Sequence, residues 1–195
     1  MIFVKNLKFS VFPIIRMRRN LQRRGETDEY RDQKWVRLPM DHLILTGFLP
    51  HSSSLAKSYN IIFSGTSRCG GSLVNEWYVI TAGHCVARAR PNQVRVTLGE
   101  YVLKSNAEPL PGRTYGASAI KVHPYFKFTP QADRFDVAVV RLNRRVDMAP
   151  HISPLCLPPK GMTMGGIHGW ASGWGALQPG SRLRPKTLQV SFGFM

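Results

Sequence analysis

The stretch that decides the fold is Cys69-Gly-Gly-Ser-Leu-Val-Asn-Glu-Trp-Tyr-Val-Ile-Thr-Ala-Gly-His-Cys-Val86. Within it, the apolar run over residues 77–80 predicts a short strand. The small residues at 81–83 then allow a sharp turn and leave space around an imidazole. His84 follows this turn directly, so the sequence predicts a histidine whose ring is held in one place.

This stretch resembles the histidine-loop signature of chymotrypsin-family (trypsin-like, S1) serine proteases, which reads C-G-G-S-L followed by T-A-A/G-H-C. The glycines, both cysteines and the histidine match together. The resemblance implies that His84 is the catalytic histidine and that Cys69 and Cys85 form a disulfide bond. A bond that closes a loop of this length would stabilise the fold by about 3 kcal/mol.

The histidine loop has two other interpretations. The first is a core histidine that happens to lie near two cysteines. The second is a zinc site, but an adjacent His and Cys with one distant Cys do not show the paired-ligand spacing of tetrahedral zinc sites. The joint match of the whole motif favours the protease interpretation over both.

A second motif lies at residues 135–142, Phe-Asp-Val-Ala-Val-Val-Arg-Leu, where a carboxylate precedes a nearly continuous apolar run. A carboxylate in that position can be kept from solvent and can orient an imidazole. The stretch resembles the family's D-[IV]-A-[LV]-x-x-L motif, which implies that Asp136 orients His84. The order of histidine before aspartate also fits the chymotrypsin-type chain. Asp133 is the competing candidate, but no apolar run follows it.

Short strands separated by turn signals predict an all-β fold. Residues 59–63 predict the strand before the histidine loop, and residues 94–98 alternate between apolar and other side chains, as a half-buried strand does. Residues 104–116 are polar and rich in proline and glycine, which predicts a loop. Residues 119–125 predict one further strand, which ends near a proline.

The resemblance implies a chymotrypsin-like antiparallel β-barrel, followed by the start of a truncated second barrel. Residues 59–195 then form a partial protease domain, behind a basic, disordered or irregular segment at 1–58. Residues 150–159 resemble the connection between the two barrels, and 169–175 resemble the opening of the second. Residues 188–190 predict the strand that follows.

The chain has 195 residues, enough for one domain with a core, and a net charge of +16. A net charge this positive suggests a protein that binds nucleic acid. Five arginines cluster within residues 16–24, however, and no aromatic-interleaved basic strand or recognition-helix pattern accompanies them. We therefore predict a solvated basic segment, no nucleic-acid partner and no cofactor. No apolar stretch is long enough for a transmembrane helix.

The sequence contains three cysteines, and the implied bond uses two of them. Cys156 is left over, which suggests a thiol that awaits a disulfide partner. The implied disulfide indicates an oxidising compartment and hence an extracellular location. Residues 1–15 do not resemble a working signal peptide, because lysines interrupt the apolar stretch.

Gly-Asp-Ser-Gly-Gly, the nucleophile motif of the resembled family, does not occur in the sequence. No Ile-Val-Gly-Gly type activation site lies between residue 25 and Cys69 either. We therefore predict a serine endopeptidase family domain that is truncated before its nucleophile and inactive as this chain. Its substrate would be a protein or peptide if a longer form exists. The alternatives are a non-catalytic protease homologue that binds partners in a proteolytic cascade, and a sequence that derives from an incomplete gene model.

Overall fold

The computed structural model describes residues 59–64, 67–105, 108–128, 134–162, 168–178 and 181–194. The predicted basic segment at 1–58 and the competing carboxylate Asp133 lie outside these residues.

Six strands form a closed antiparallel barrel in the order β1-β2-β3-β6-β5-β4, with β4 pairing back onto β1. The all-β barrel that the sequence predicted is therefore confirmed. The strands are β1 (Tyr59–Ser64), β2 (Ser67–Leu73), β3 (Tyr78–Thr81), β4 (Val94–Leu98), β5 (Arg113–Val122) and β6 (Ala138–Leu142).

Side chains that alternate along the strands fill the interior of the barrel, as in other small barrels. In β6, the buried Val140 and Leu142 alternate with the exposed Val139 and Arg141. In β4, residues 94, 96 and 98 are fully buried and Arg95 is exposed, as predicted, but Thr97 is also buried. The period of two predicted over 94–98 therefore identifies the fully buried face of β4, whereas the alternation in β6 was not predicted, because its sequence is a nearly continuous apolar run.

Strand β5 begins at Arg113, inside the segment that the sequence predicted to be a loop over 104–116. This prediction was wrong at its C-terminal end, because Arg113 pairs with Leu98 of β4 and continues that ladder. The following strand was predicted to extend to residue 125, but β5 ends at Val122. The chain turns there, where the Phe126 N–H donates to the carbonyl of His123 at 2.9 Å.

Two short helical segments connect β3 to β4. Helix α1 (Gly83–Val86) carries His84, and a 3-10 turn over Pro91–Gln93 leads into β4. In the part of the chain that the structure describes, no helix has the length and apolar character needed to cross a membrane.

A separate two-stranded antiparallel sheet consists of β7 (His168–Gly173) and β8 (Gln189–Phe194). Strand β7 contains most of the 169–175 stretch that resembles the opening of the second barrel, and β8 overlaps the strand predicted at residues 188–190. The link of this sheet to the barrel is a short stretch of backbone pairing. The Leu188 N–H donates to the carbonyl of Tyr101 at 2.9 Å, and the Leu103 N–H donates to that of Lys186 at 2.9 Å.

Candidate active site

The histidine loop is closed by a disulfide bond between Cys69 of β2 and Cys85 of α1. The predicted pairing is therefore confirmed, and it ties the helix that carries His84 to the barrel wall. The ligand atoms of Cys69, His84 and Cys85 lie within 4.8 Å of one another. Because the two sulfurs are bonded to each other, neither is a thiolate, and the group offers no zinc ligand set in this state.

The turn before His84 is crowded around Gly83, so the small residues that the sequence places there fit the space available. The Thr81 hydroxyl at the end of β3 donates to the buried carbonyl of Gly70 at 2.8 Å, which fixes the strand end against β2. A Cβ atom on Gly83 would lie 3.2 Å from Asp136 Oδ1 and 3.3 Å from the Phe126 ring. A small residue is needed at position 83 because the carboxylate and this ring already occupy the space.

Strand pairing brings His84 and Asp136 together although they are 52 positions apart in the chain. Strands β3 and β6 are neighbours, and Thr81 lies opposite Ala138. His84 follows the end of β3, and Asp136 precedes the start of β6, so both residues lie at the same end of this strand pair.

The Asp136 carboxylate receives two hydrogen bonds from His84. Its Oδ2 atom lies 2.6 Å from His84 Nδ1, and its Oδ1 atom accepts from the His84 backbone N–H at 2.7 Å. The Asp136 side chain is only 2% exposed, whereas the His84 side chain is 24% exposed. The sequence prediction that these two residues meet is consistent with this geometry, in which one partner is buried and the other is open on one side.

The hydrogen bond to the carboxylate assigns the proton of the neutral imidazole to Nδ1, which leaves a lone pair on Nε2. Nε2 lies 3.4 Å from the disulfide-bonded Cys85 Sγ, which has no proton to donate. An imidazole in this tautomer can accept a proton at Nε2, and a buried carboxylate at Nδ1 stabilises the imidazolium that results. The arrangement is therefore suited to general base chemistry.

The backbone around Asp136 has a conformation that the sequence did not reveal. Phe135 has a φ of 54°, in the left-handed region, and the Val137 N–H donates to the Phe135 carbonyl at 2.7 Å across Asp136. This three-residue turn separates an exposed Phe135 from a buried Asp136. Sequence reasoning missed Phe135 and its ring neighbour His123, because no periodic pattern or motif marks a contact between two loop aromatics.

Cys156 is a free, exposed thiol. The other two cysteines of the sequence are bonded to each other. The structure therefore gives no support to a disulfide partner for Cys156 within the chain.

Comparison with known proteins gives a clear match to one family. The family model described as Trypsin matches residues 50–193. Serine proteinase stubble of Drosophila melanogaster is 38% identical over 143 residues, which is 73% of this chain and 18% of that protein. Granzyme M of Homo sapiens is 35% identical over 147 residues, which is 73% of this chain and 54% of that protein.

A third relative, Inactive serine protease scarface of Drosophila melanogaster, is 36% identical over 94 residues. The match covers 48% of this chain and 14% of scarface. The chain thus spans between 14% and 54% of the length of these three relatives.

Proposed function

This chain belongs to the trypsin family of serine proteases, and we propose that residues 59–195 are part of a serine endopeptidase domain in which His84 is the general base and Asp136 its orienting carboxylate. The observation that supports these roles is the pair of hydrogen bonds from His84 to Asp136, at 2.6 Å and 2.7 Å. In the reaction, Nε2 takes the proton of a serine hydroxyl as that oxygen attacks a peptide carbonyl, and the imidazolium later protonates the leaving amine.

The substrates in this proposal are proteins or peptides, and no cofactor takes part. We also place the protein outside the cell, because the Cys69–Cys85 disulfide is typical of proteins in oxidising compartments. The substrate class rests on the chemistry of the family, and the location rests on the disulfide.

The polypeptide of residues 1–195 is proposed to be inactive by itself. Gly-Asp-Ser-Gly-Gly does not occur in these residues, and Ser153, Ser172 and Ser181 lack its glycine context. Loss of the nucleophile from a cooperating triad lowers turnover by about a million-fold. The base and its orienting carboxylate therefore lack a nucleophile in this polypeptide.

Labelling by a serine-directed fluorophosphonate, together with hydrolysis of a peptide library, tests this proposal. We expect neither labelling nor turnover from the purified chain with its disulfide intact. Turnover that disappears in the His84→Ala variant would contradict the inactivity and leave the role of His84 standing. Sequencing of the transcript past the Met195 codon tests whether His84 and Asp136 serve in a complete triad, because a downstream Gly-Asp-Ser-Gly-Gly would supply the serine.

A second candidate function is a non-catalytic homologue that binds partners in a proteolytic cascade. Similarity to scarface, whose name describes an inactive protease, favours it. A binding module must be stably folded, so this candidate requires a cooperative thermal transition and a monomeric elution profile from the isolated chain. Aggregation or rapid proteolysis of the chain would count against it.

A further inference from the structure

The residue directly before Asp136 has a backbone conformation that its side chain disfavours. Phe135 has a φ of 54°, and among the described non-glycine residues only Lys104 shares a positive φ. A bulky aromatic residue rarely adopts this region, since its Cβ crowds the backbone. Residues in such conformations persist only where their surroundings hold them, and they concentrate at functional sites.

Burial in the core is not what holds Phe135, because its side chain is 48% exposed. Its ring stacks on the His123 ring, with centroids 4.9 Å apart and planes within 8° of parallel. The Tyr125 ring lies 5.8 Å away at a tilt, and the Arg134 guanidinium lies 5.7 Å from the Phe135 centroid. The stack on His123 is the closest of these contacts.

His123 is itself held by hydrogen bonds at its backbone and at one ring nitrogen. Its backbone N–H donates to the carbonyl of Val137 at 2.9 Å, directly after the paired ends of β5 and β6. Its Nδ1 atom accepts from the backbone N–H of Tyr125 at 3.2 Å. The ring therefore presents a fixed face to Phe135, and this face is anchored to the barrel.

We propose that His123 and Phe135 are positioning residues, whose ring stack holds the left-handed turn at Phe135 and thereby directs the Asp136 carboxylate at His84. The inference rests on the proposed role of the His84–Asp136 pair. The geometry supports it because Phe135, Asp136 and Val137 form one hydrogen-bonded turn. A rotation at Phe135 moves Asp136 Oδ1 and Oδ2 together, and both oxygens bond to His84.

The experiment measures the His84–Asp136 hydrogen bond directly and needs no nucleophile. In the full chain with labelled histidine, NMR detects the His84 Nδ1–H proton and its rate of exchange with solvent. We expect His123→Ala and Phe135→Ala to speed this exchange about fivefold. This factor corresponds to the typical coupling energy of an aromatic pair. The melting temperature reports separately on the fold.

Three further variants separate positioning from general stability. Phe128→Ala is the matched control, since Phe128 is 51% exposed in the same loop and contacts Phe126 and Arg88 instead. It should leave the exchange of the proton unchanged. His123→Phe keeps an aromatic ring at the stack and should restore slow exchange. Phe135→Asn, which tolerates a positive φ without the support of a ring, should keep the turn and exchange nearly as slowly as the wild-type chain.

The outcomes distinguish failure of this inference from failure of the proposed function. Slow exchange in the wild-type chain that neither His123→Ala nor Phe135→Ala alters would overturn the positioning role alone. A wild-type chain that is folded but shows no protected Nδ1–H would mean that the His84–Asp136 pair does not form. That result would overturn the proposed roles of both residues and this inference with them.

Discussion

The barrel of β1–β6 and the sheet of β7 and β8 differ in how their strands are supported. Every barrel strand pairs with two neighbours, whereas β7 and β8 pair with each other within a sheet of two strands. His84 follows β3 and Asp136 precedes β6, so both residues belong to the barrel. This difference shows that the pairing of strands in the closed barrel brings His84 and Asp136 together.

The largest effect should come from the barrel core. Leu98→Ala removes a fully buried side chain from β4 and should lower the free energy of unfolding by about 4 kcal/mol. Leu183→Ala, just before β8, removes a side chain that is 83% exposed and should change that free energy by no more than about 0.5 kcal/mol. Urea titration measures both variants, and equal losses would remove the distinction between the two regions.

The disulfide should have the next largest effect, because it closes a loop that lies entirely within the barrel region. Replacing both Cys69 and Cys85 by alanine should cost about 3 kcal/mol of unfolding free energy. Cys156→Ala is the control, since this thiol is free and exposed, and it should change stability by no more than about 0.5 kcal/mol. Differential scanning calorimetry compares the two, and a stable double variant would argue against the disulfide as a support of the barrel.

A substitution at Gly99 tests how the segment after β6 packs on the end of β4. Its φ is 73°, and a Cβ atom there would lie 2.5 Å from His151 Cδ2 and 2.8 Å from Ile152 Cγ1. Gly99→Ala should therefore cost about 2 kcal/mol through strain and overlap together.

Gly161→Ala separates these two contributions. Gly161 has a similar φ of 81°, but nothing lies within 4 Å of the added Cβ atom. This variant should cost about 1 kcal/mol from the backbone conformation alone. Chemical denaturation gives both values, and equal losses would show that packing on His151 contributes nothing.

The smallest effect should come from Glu100, beside the stretch that links the barrel to the β7–β8 sheet. Burial raises the pKa of the Glu100 carboxyl, and the charge of Glu108 raises it further. Because the folded pKa lies above the unfolded one, the folded state binds more protons between these values, and stability falls as pH rises through them. Glu100→Gln should remove this part of the pH dependence. Compared with the wild-type chain, the variant should therefore gain stability as the pH rises from acidic to neutral.

Glu76 provides the control of opposite sign. A hydrogen bond from Arg145 lowers the pKa of the exposed Glu76 carboxyl. Its contribution to stability is therefore lost as pH falls through the folded pKa. Unfolding of both glutamine variants, followed from acidic to neutral pH, should show slopes that change in opposite directions. Changes in the same direction would contradict the environment described for Glu100.

Much of the barrel could be predicted from the sequence because its signals are local. The alternation over 94–98 identified the inward face of β4, and the small residues before His84 predicted a tight turn. The start of β5 at Arg113 could not be predicted in this way. The proline and glycine before it indicate a loop, and only the ladder with Leu98 makes the following residues a strand.

The sequence by itself determined the family and the pairing of Cys69 with Cys85, and it predicted His84 and Asp136 as a base and its orienting carboxylate, because fixed residue types at fixed spacings carry those signals. Tertiary structure decided how the Asp136 carboxylate is directed at His84. That direction depends on a left-handed Phe135 held by a ring from another segment of the chain. A contact between two loop aromatics has no period and no motif, so it is visible only in the folded chain, where the pairing of β5 with β6 places His123 beside Phe135.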